Sequence, residues 1–362
     1  MQYREPYDPL RHRRPPPRSR LPLPVSPRLL ILAGAVLVPA LVLAWLVFRP
    51  GGDTTEAATQ PEVTAKATPS PTGVTEGAQA SPEPTAAVEA GPASFGIPAP
   101  EISAAAAIVV DDASLEVLYA KDAYSRRAPA SLTKIATAIV TLEHARLDDE
   151  VTSPVHYWDL GDSSTLGLEP GDVFTVRELL YGLLLVSGND AATALAAHVS
   201  GSHDAFVEEM NRLAVRLGLE DTHFANADGL SAAGHYSSAW DLVLLSRYLM
   251  RFPDLRTIVG TEEYTASGMR GGEAVTFDLY NHNPLLNYTP DVDGVKTGFT
   301  EEAGRTFSVT AERDGHRVYI VLLDTALRAQ DSQALIEWAF SNHRWPDEAA
   351  GEELEPAATA TP

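Results

Sequence analysis

An uncharged apolar run near the N-terminus divides this 362-residue chain into parts that must fold in different surroundings. Residues 29–48 contain no charged side chain, and as a helix they would span about 30 Å, the thickness of the hydrocarbon core of a bilayer. Residues 1–28 carry a net charge of +5, and the positive-inside rule keeps such a segment in the cytoplasm. We predict a single-pass transmembrane anchor at 29–48, with the rest of the chain outside the cell membrane.

Two other interpretations of the apolar run stay open. It could be a buried helix of a soluble core, although core helices rarely stay apolar on every face. It could also be a cleaved signal peptide, but the run is longer than a typical signal-peptide core and no convincing A-x-A site follows it. An uncleaved anchor is therefore favoured.

The segments around the folded part are of low complexity. Residues 49–96 are rich in Pro, Thr, Ala, Glu and Gly and have no apolar period, which predicts a disordered tether. Residues 346–362 have a similar composition and predict a disordered acidic tail. A single folded domain is expected between them, over residues 97–345.

Composition excludes several classes of function. The chain has a net charge of −22, which disfavours nucleic-acid binding because phosphates require a basic surface. It has no cysteine, so disulfides, thiolate metal sites and cysteine nucleophiles are excluded. No His or acidic pattern suggests a metal or another cofactor, and none is expected.

The pattern of residues 97–345 predicts strands at both ends and helices between them. The expected strands are 105–110, 115–120, 306–312 and 317–324, with Asp314-Gly315 as the turn of the last pair. The expected helices are 131–144, 175–186, 190–199, 204–217, 238–250 and 331–340. These elements predict an α+β fold, in which an antiparallel sheet built from both ends of the domain is flanked by helices.

A Ser-x-x-Lys sequence, Ser131 to Lys134, begins the first predicted helix. The spacing places both side chains on one helix face. A serine nucleophile needs a base within hydrogen-bond reach, and a lysine becomes that base when burial or nearby positive charge lowers its pKa. Only four of the 27 basic residues are lysine, so a chance match is less expected. A serine that only caps the helix, followed by a solvent-exposed lysine, would give the same Ser-x-x-Lys sequence.

Two further motifs lie at breaks between predicted elements. Residues 187–189, Ser-Gly-Asn, separate two apolar helices and could face a cleft, although an ordinary helix–helix turn favours the same residues. Residues 296–298, Lys-Thr-Gly, offer a cation and a hydroxyl on an edge strand, where glycine allows close approach of a substrate backbone. A strand end with a snorkelling lysine would look similar.

Penicillin-binding proteins and serine β-lactamases carry three motifs of this kind, Ser-x-x-Lys, a Ser-x-Asn triplet and Lys-Thr-Gly, in the same order along the chain. The sequence resembles the D-alanyl-D-alanine carboxypeptidases, the low-molecular-weight penicillin-binding proteins of serine peptidase family S11. The resemblance covers about residues 100–340 and includes the first hairpin and the segments 226–239 and 281–286. It implies a β-lactamase/transpeptidase-like fold with a helical subdomain, here preceded by the transmembrane helix.

The resemblance also implies catalytic roles for three residues. Ser131 would attack the carbonyl of the penultimate D-alanine of a peptidoglycan stem peptide and form an acyl-enzyme. Lys134 would be the general base, and Ser187 would pass the proton to the nitrogen of the leaving D-alanine. The implied reaction removes the terminal D-alanine and is inhibited by β-lactams.

Substrate-binding roles follow from the same resemblance. Asn189 would hydrogen-bond the substrate backbone and Lys134, and Lys296 with Thr297 would bind the terminal carboxylate. Gly298 lies in the strand beside the substrate, and the N–H of Phe299 would form an oxyanion hole with that of Ser131.

The role of His282 is not assigned, with a structural role favoured. Many relatives carry a C-terminal β-domain and a terminal membrane-binding helix, and the residues after Phe340 show neither pattern, so anchoring is expected at 29–48. Alternative functions are a serine β-lactamase, a D,D-endopeptidase and a non-catalytic binder of cell-wall peptides. No E-x-x-L-N-like segment supports the β-lactamase.

Overall fold

The computed structural model describes residues 91–346. The basic segment 1–28, the apolar run 29–48, most of the tether and most of the acidic tail lie outside the described residues. Among the helices of residues 91–346, none is both long and apolar enough to cross a bilayer.

The described elements alternate between short strands and helices. The strands are β1 (Ala93–Ser94), β2 (Ala106–Asp111), β3 (Val117–Lys121), β4 (Glu150–Thr152), β5 (Val173–Thr175), β6 (Glu263–Arg270), β7 (Glu273–Tyr280), β8 (Val292–Thr300), β9 (Gly304–Arg313), β10 (His316–Leu323) and β11 (His343–Arg344). The helices are α1 (Lys134–His144), α2 (Val176–Leu184), α3 (Asn189–Ser200), α4 (His203–Arg216), α5 (Ala239–Met250), α6 (Pro253–Val259) and α7 (Arg328–Asn342).

The largest sheet joins the two ends of the domain, as the sequence predicts. Its five antiparallel strands have the order β3-β2-β10-β9-β8. Alternate residues of β2 enter two different hydrophobic clusters: Ile108 packs with the helical layer on one face, and Val109 packs against α7 on the other. Because both faces are covered, every residue of β2 is buried. The α+β prediction is confirmed.

The predicted helices and the predicted terminal strands are all present, with ends that differ by a few residues. Ser238 caps α5 by accepting from the Asp241 N–H at 3.1 Å, as expected for a helix N-cap. Asp314 and Gly315 both have positive φ, 53° and 86°, the conformation of a two-residue hairpin turn between β9 and β10.

A second sheet, of order β4-β5-β6-β7, and helix α6 were not predicted. Strands β6 and β7 are mostly exposed, but β7 does show the alternation of a half-buried strand: Val275, Phe277 and Leu279 pack against the core, and the residues between them are exposed. The sequence interpretation missed this signal. Strand β1 lies within the predicted tether 49–96 and pairs with β11. A strand with only two paired residues leaves no hydrophobic pattern in the sequence. Because β1 pairs with β11, the folded part begins a few residues before 97.

Helix α1 is the centre of the helical layer. Its residues from Lys134 to Thr141 are all buried, and it packs against α2, α3, α4 and α5. A 3₁₀ turn, Ala130–Thr133, precedes it and contacts β8 and β9 of the large sheet. The Ser-x-x-Lys motif thus lies where the helical layer meets the sheet edge.

Candidate active site

Ser131 lies on a strained turn at the edge of a cleft. The preceding residue, Ala130, has φ of 50°, a left-handed conformation that an L-residue adopts only at a cost. Gly229 fits against this turn, because any Cβ at that position would overlap the Ala130 carbonyl. The sequence predicts an α-helix from residue 131, but the first turn is 3₁₀ and the α-helix begins at Lys134.

Lys134 is completely buried beside this turn and has three polar neighbours. Its Nζ lies 3.2 Å from Ser131 Oγ and donates to Asn189 Oδ1 at 2.6 Å and to the Asp228 carbonyl. Burial lowers the Lys134 pKa to about 8. In the neutral amine, the two N–H groups can bond the two carbonyl oxygens, which only accept. The lone pair then faces Ser131, the one neighbour with a proton to give.

Ser187 and Asn189, at the junction of α2 and α3, also line the cleft. Ser187 is buried and has φ of 65°, so it is a second strained residue beside the cleft. Asn189 is the first residue of α3, and its Oδ1 is fixed by Lys134. Its amide N–H₂ group remains available as a donor.

The Lys-Thr-Gly motif lies on β8, the edge strand of the large sheet, next to the nucleophile turn. A Cβ on Gly298 would lie 2.9 Å from the Ser131 backbone nitrogen, so only glycine fits here. Phe299 follows with 60% of its surface exposed. The Ser131 turn and residues 298–299 therefore lie side by side, as an oxyanion hole of two backbone N–H groups requires.

Lys296 is placed differently from the other residues of its motif. It is buried, and its Nζ donates to the carbonyl of Thr297 at 2.9 Å, behind the wall of the cleft. Burial, Lys134 and Arg328 together hold the Lys296 pKa well below its usual value. It is not among the residues that line the cleft.

The cation that lines the cleft is Arg328, which the sequence interpretation missed. Among residues 91–346, no carboxylate lies within ion-pair distance of its guanidinium. Arg328 is the first residue of α7, where the helix dipole disfavours a cation. The helix was predicted to begin at residue 331, three residues later, so the sequence interpretation did not place Arg328 at a helix start.

The cleft has a volume of about 530 Å³ and contains six of the eight predicted site residues. Lys134 and Lys296 lie behind its wall, while His282 lies in it. Burial, Lys296 and Arg328 lower the His282 pKa to about 4, so its ring is neutral at neutral pH. The lining residues are Ser131, Asp162, Ser163, Ser164, Ser187, Asn189, Gly229, Leu230, His282, Thr297, Gly298, Phe299, Thr300, Glu301 and Arg328.

This geometry agrees with a comparison to known families. The profile of the S11 peptidase family, described as D-alanyl-D-alanine carboxypeptidase, matches residues 93–326. The chain belongs to this family. Two similar relatives are D-alanyl-D-alanine carboxypeptidase DacF of Bacillus subtilis, 36% identical over 66% of this chain, and DacA of Escherichia coli K12, 36% identical over 67%. The matched region spans 63% and 62% of those relatives' lengths.

Solved S11-like structures share the fold. The DD-transpeptidase of Streptomyces K15 superimposes with a TM-score of 0.65 at 34% identity, over 68% of this chain and all of that one. Penicillin-binding protein 6B of Escherichia coli gives a TM-score of 0.60 at 33% identity, over 67% and 79% of the two chains. The predicted transpeptidase-like fold is confirmed by these similarities.

Proposed function

We propose that this protein is a serine D-Ala-D-Ala carboxypeptidase that removes the terminal D-alanine from peptidoglycan stem peptides. The observation that carries the proposal is the contact between Ser131 and a buried Lys134 whose pKa is lowered to about 8. A solvated lysine would stay protonated at neutral pH and could not accept the serine proton. Family membership supplies the substrate class.

The first chemical step follows from the hydrogen bonds around Lys134. The Ser131 hydroxyl gives its proton to the Lys134 lone pair as its Oγ attacks the scissile carbonyl. The new oxyanion accepts from the N–H groups of Ser131 and Phe299. One such donor typically contributes about 3–4 kcal/mol to lowering the barrier.

The proton must then reach the nitrogen of the leaving D-alanine. Ser187 lines the same cleft as Ser131 and provides a hydroxyl that both accepts and donates. When the C–N bond breaks, Ser187 passes the proton on, and Ser131 stays acylated. Water then attacks the ester with Lys134 again acting as the base, and the shortened peptide is released.

Substrate binding uses both walls of the cleft. Arg328 and the Thr297 hydroxyl bind the terminal carboxylate, and Lys296 lies behind the cleft wall. The Asn189 amide N–H₂ donates to a substrate carbonyl. The substrate backbone lies along the free edge of β8, where Gly298 allows close approach. β-Lactams, which present a carboxylate beside a reactive carbonyl, fit the same groups and would acylate Ser131.

Mass spectrometry of a purified D-Ala-D-Ala muropeptide before and after incubation tests this function. We expect the wild type to remove one alanine and Ser131→Ala to remove none. Intact muropeptide with the wild type, together with rapid turnover of a penicillin, would support the β-lactamase instead. Intact muropeptide without any penicillin adduct would support the non-catalytic binder, and cleavage of cross-linked dimers would identify an endopeptidase.

We also propose that residues 29–48 anchor the protein in the cell membrane, with the catalytic domain outside and joined through the tether. The uncharged run and the basic residues before it support this topology. The natural chain has no cysteine, so single cysteines report topology without background. A membrane-impermeant maleimide should label Ser70→Cys in intact cells and Ser19→Cys only after permeabilisation. Release of the protein into the medium would identify a cleaved signal peptide.

A further inference from the structure

His235 is buried against the turn that carries the nucleophile. It is 7% exposed, and its Nδ1 accepts from the Ala225 N–H at 3.0 Å. An imidazole nitrogen that accepts carries no proton, so in the neutral ring the proton is on Nε2. Nε2 lies 2.7 Å from Thr133 Oγ1 and therefore donates to it.

The contact continues from Thr133 into the strained peptide before Ser131. Thr133 is fully buried, and its Oγ1 donates to the Ala130 carbonyl at 2.9 Å. Ala130 is the residue with φ of 50°. The hydroxyl of Thr133 both accepts and donates, so the two hydrogen bonds polarise each other in one direction. Two consecutive hydrogen bonds, both through the Thr133 hydroxyl, thus connect the His235 ring to the Ala130 carbonyl at the start of the nucleophile turn.

The orientation of this turn determines two parts of the proposed chemistry. The Ser131 N–H follows the Ala130 carbonyl in the same peptide unit, and a peptide unit is planar. Fixing the carbonyl therefore fixes the direction of the N–H that would stabilise the oxyanion. It also fixes where the chain leaves Ala130, and hence the position of Ser131 Oγ opposite Lys134.

We propose that His235 is a positioning residue for the reaction: through Thr133 it holds the Ala130–Ser131 peptide in the orientation that acylation of Ser131 requires. The inference rests on the proposed function. His235 touches neither the substrate nor the reacting atoms, and it lies outside the residues that line the cleft.

The charge state of the ring supports this role. Burial lowers the His235 pKa to about 4, and four ionisable groups act on it from the surrounding elements: Asp228 and Glu302 raise the pKa, whereas His223 and Lys134 lower it. The ring is neutral throughout the range in which Lys134 loses its proton. The His235 ring can therefore accept from the Ala225 N–H and donate to Thr133 at the same time, over the pH range in which Lys134 acts as the base.

Acylation by a slow penicillin, followed by stopped flow and separated into a reversible binding constant and an acylation rate constant, tests the proposal. Thr133→Val removes the hydroxyl at nearly constant volume, and Thr133→Ser keeps it. His235→Asn keeps an acceptor near the Nδ1 position but loses the donor, whereas His235→Gln keeps a donor near the Nε2 position. The exposed His198 on α3, changed to Asn, is the matched control.

We expect Thr133→Val and His235→Asn to lower the acylation rate constant about 10- to 100-fold, because displacing a reacting group by about 1 Å costs that much. The binding constant should stay within about twofold, and Thr133→Ser and His235→Gln should recover most of the rate. The acylation rate of the double variant Thr133→Val/His235→Asn should fall no further than that of either single variant, because both substitutions break the same series of hydrogen bonds.

Wild-type acylation rates in Thr133→Val would overturn the proposal, as would equal losses in Thr133→Val and Thr133→Ser. A loss that follows the unfolding midpoint across all the variants would identify a merely structural role and would also overturn it. These results are distinct from failure of the proposed function, in which the wild type itself is not acylated.

Discussion

At the active site, the two motif lysines differ in what their surroundings allow. Lys134 contacts Ser131 Oγ and two carbonyl oxygens, whereas Lys296 contacts a carbonyl of its own strand. Proton transfer requires the first to become neutral. The second lies behind the cleft wall and takes no part in that transfer. Substitution by arginine, which does not lose its proton in a protein, therefore distinguishes the two lysines.

We predict that Lys134→Arg lowers the acylation rate constant by about 10²–10⁴-fold, the usual contribution of a general base. Lys296→Arg should keep measurable acylation, because this residue is not the base, although the larger group is crowded in a buried site. Stopped-flow acylation by a penicillin measures both. Equal loss from the two variants would mean that the base is wrongly assigned.

The lowered Lys134 pKa predicts a specific pH dependence. The free base is the active form, so its fraction rises with pH until the pKa of about 8 is passed. We expect kcat/KM for D-alanine release to rise about tenfold per pH unit below this value and to level off above it. A profile that stays flat down to about pH 6, or a midpoint near the ordinary lysine value of 10.5, would contradict the assignment.

Among the secondary-structure elements, the start of α3 fixes the cleft wall through Asp190. This fully buried carboxylate accepts from the backbone N–H groups of Leu166 at 2.8 Å, Gly167 at 2.8 Å and Leu168 at 2.9 Å. It also accepts from the N–H of Ala191 in its own helix at 2.9 Å. One side chain thus connects the Ser-Gly-Asn motif to residues 166–168, which closely follow the cleft-lining residues 162–164.

We predict that Asp190→Asn lowers the free energy of unfolding by about 3 kcal/mol. The amide replaces one accepting oxygen with a donor, and each buried N–H left without an acceptor costs about 1–3 kcal/mol. Urea unfolding followed by circular dichroism measures the change, and acylation should also slow because the cleft wall shifts.

Asp204 provides the matched control for this prediction. It also lies in the first turn of a helix, α4, but its side chain is fully exposed. Asp204→Asn should change the unfolding free energy by no more than about 0.5 kcal/mol, as for most surface substitutions. Equal effects at the two positions would show that the buried hydrogen bonds of Asp190 contribute little.

Sequence patterns predicted best the elements that bury the most apolar surface. Helix α1 and strands β2, β9 and β10 are mostly buried and strongly patterned, and they were predicted to within a few residues. Strand β8 was expected only as an edge strand around Lys-Thr-Gly, without bounds. Strand β7 carries an alternation of apolar and polar residues that the sequence interpretation missed, whereas β6 is mostly exposed and weakly patterned. Strand β1, with two residues paired to β11, left no pattern.

In the whole molecule, the site assembles segments that are far apart in the chain. The nucleophile turn, the α2–α3 connection, β8 and the start of α7 all meet at one cleft. The three motifs were identifiable in the sequence because their chemistry needs particular residue types. Arg328 and His235 were not assigned roles, because each acts through tertiary neighbours: Arg328 across the cleft, and His235 on a buried hydroxyl about 100 residues away.

Trapping the acyl-enzyme tests the central claim most directly, namely that Ser131 is a nucleophile activated by Lys134. Intact-protein mass spectrometry after exposure to a penicillin, followed by peptide mapping, locates the adduct. We predict one adduct per chain, on Ser131, that is absent in Ser131→Ala and outlasts many turnovers of the peptide substrate. An adduct on another residue, or its persistence in Ser131→Ala, would contradict the account.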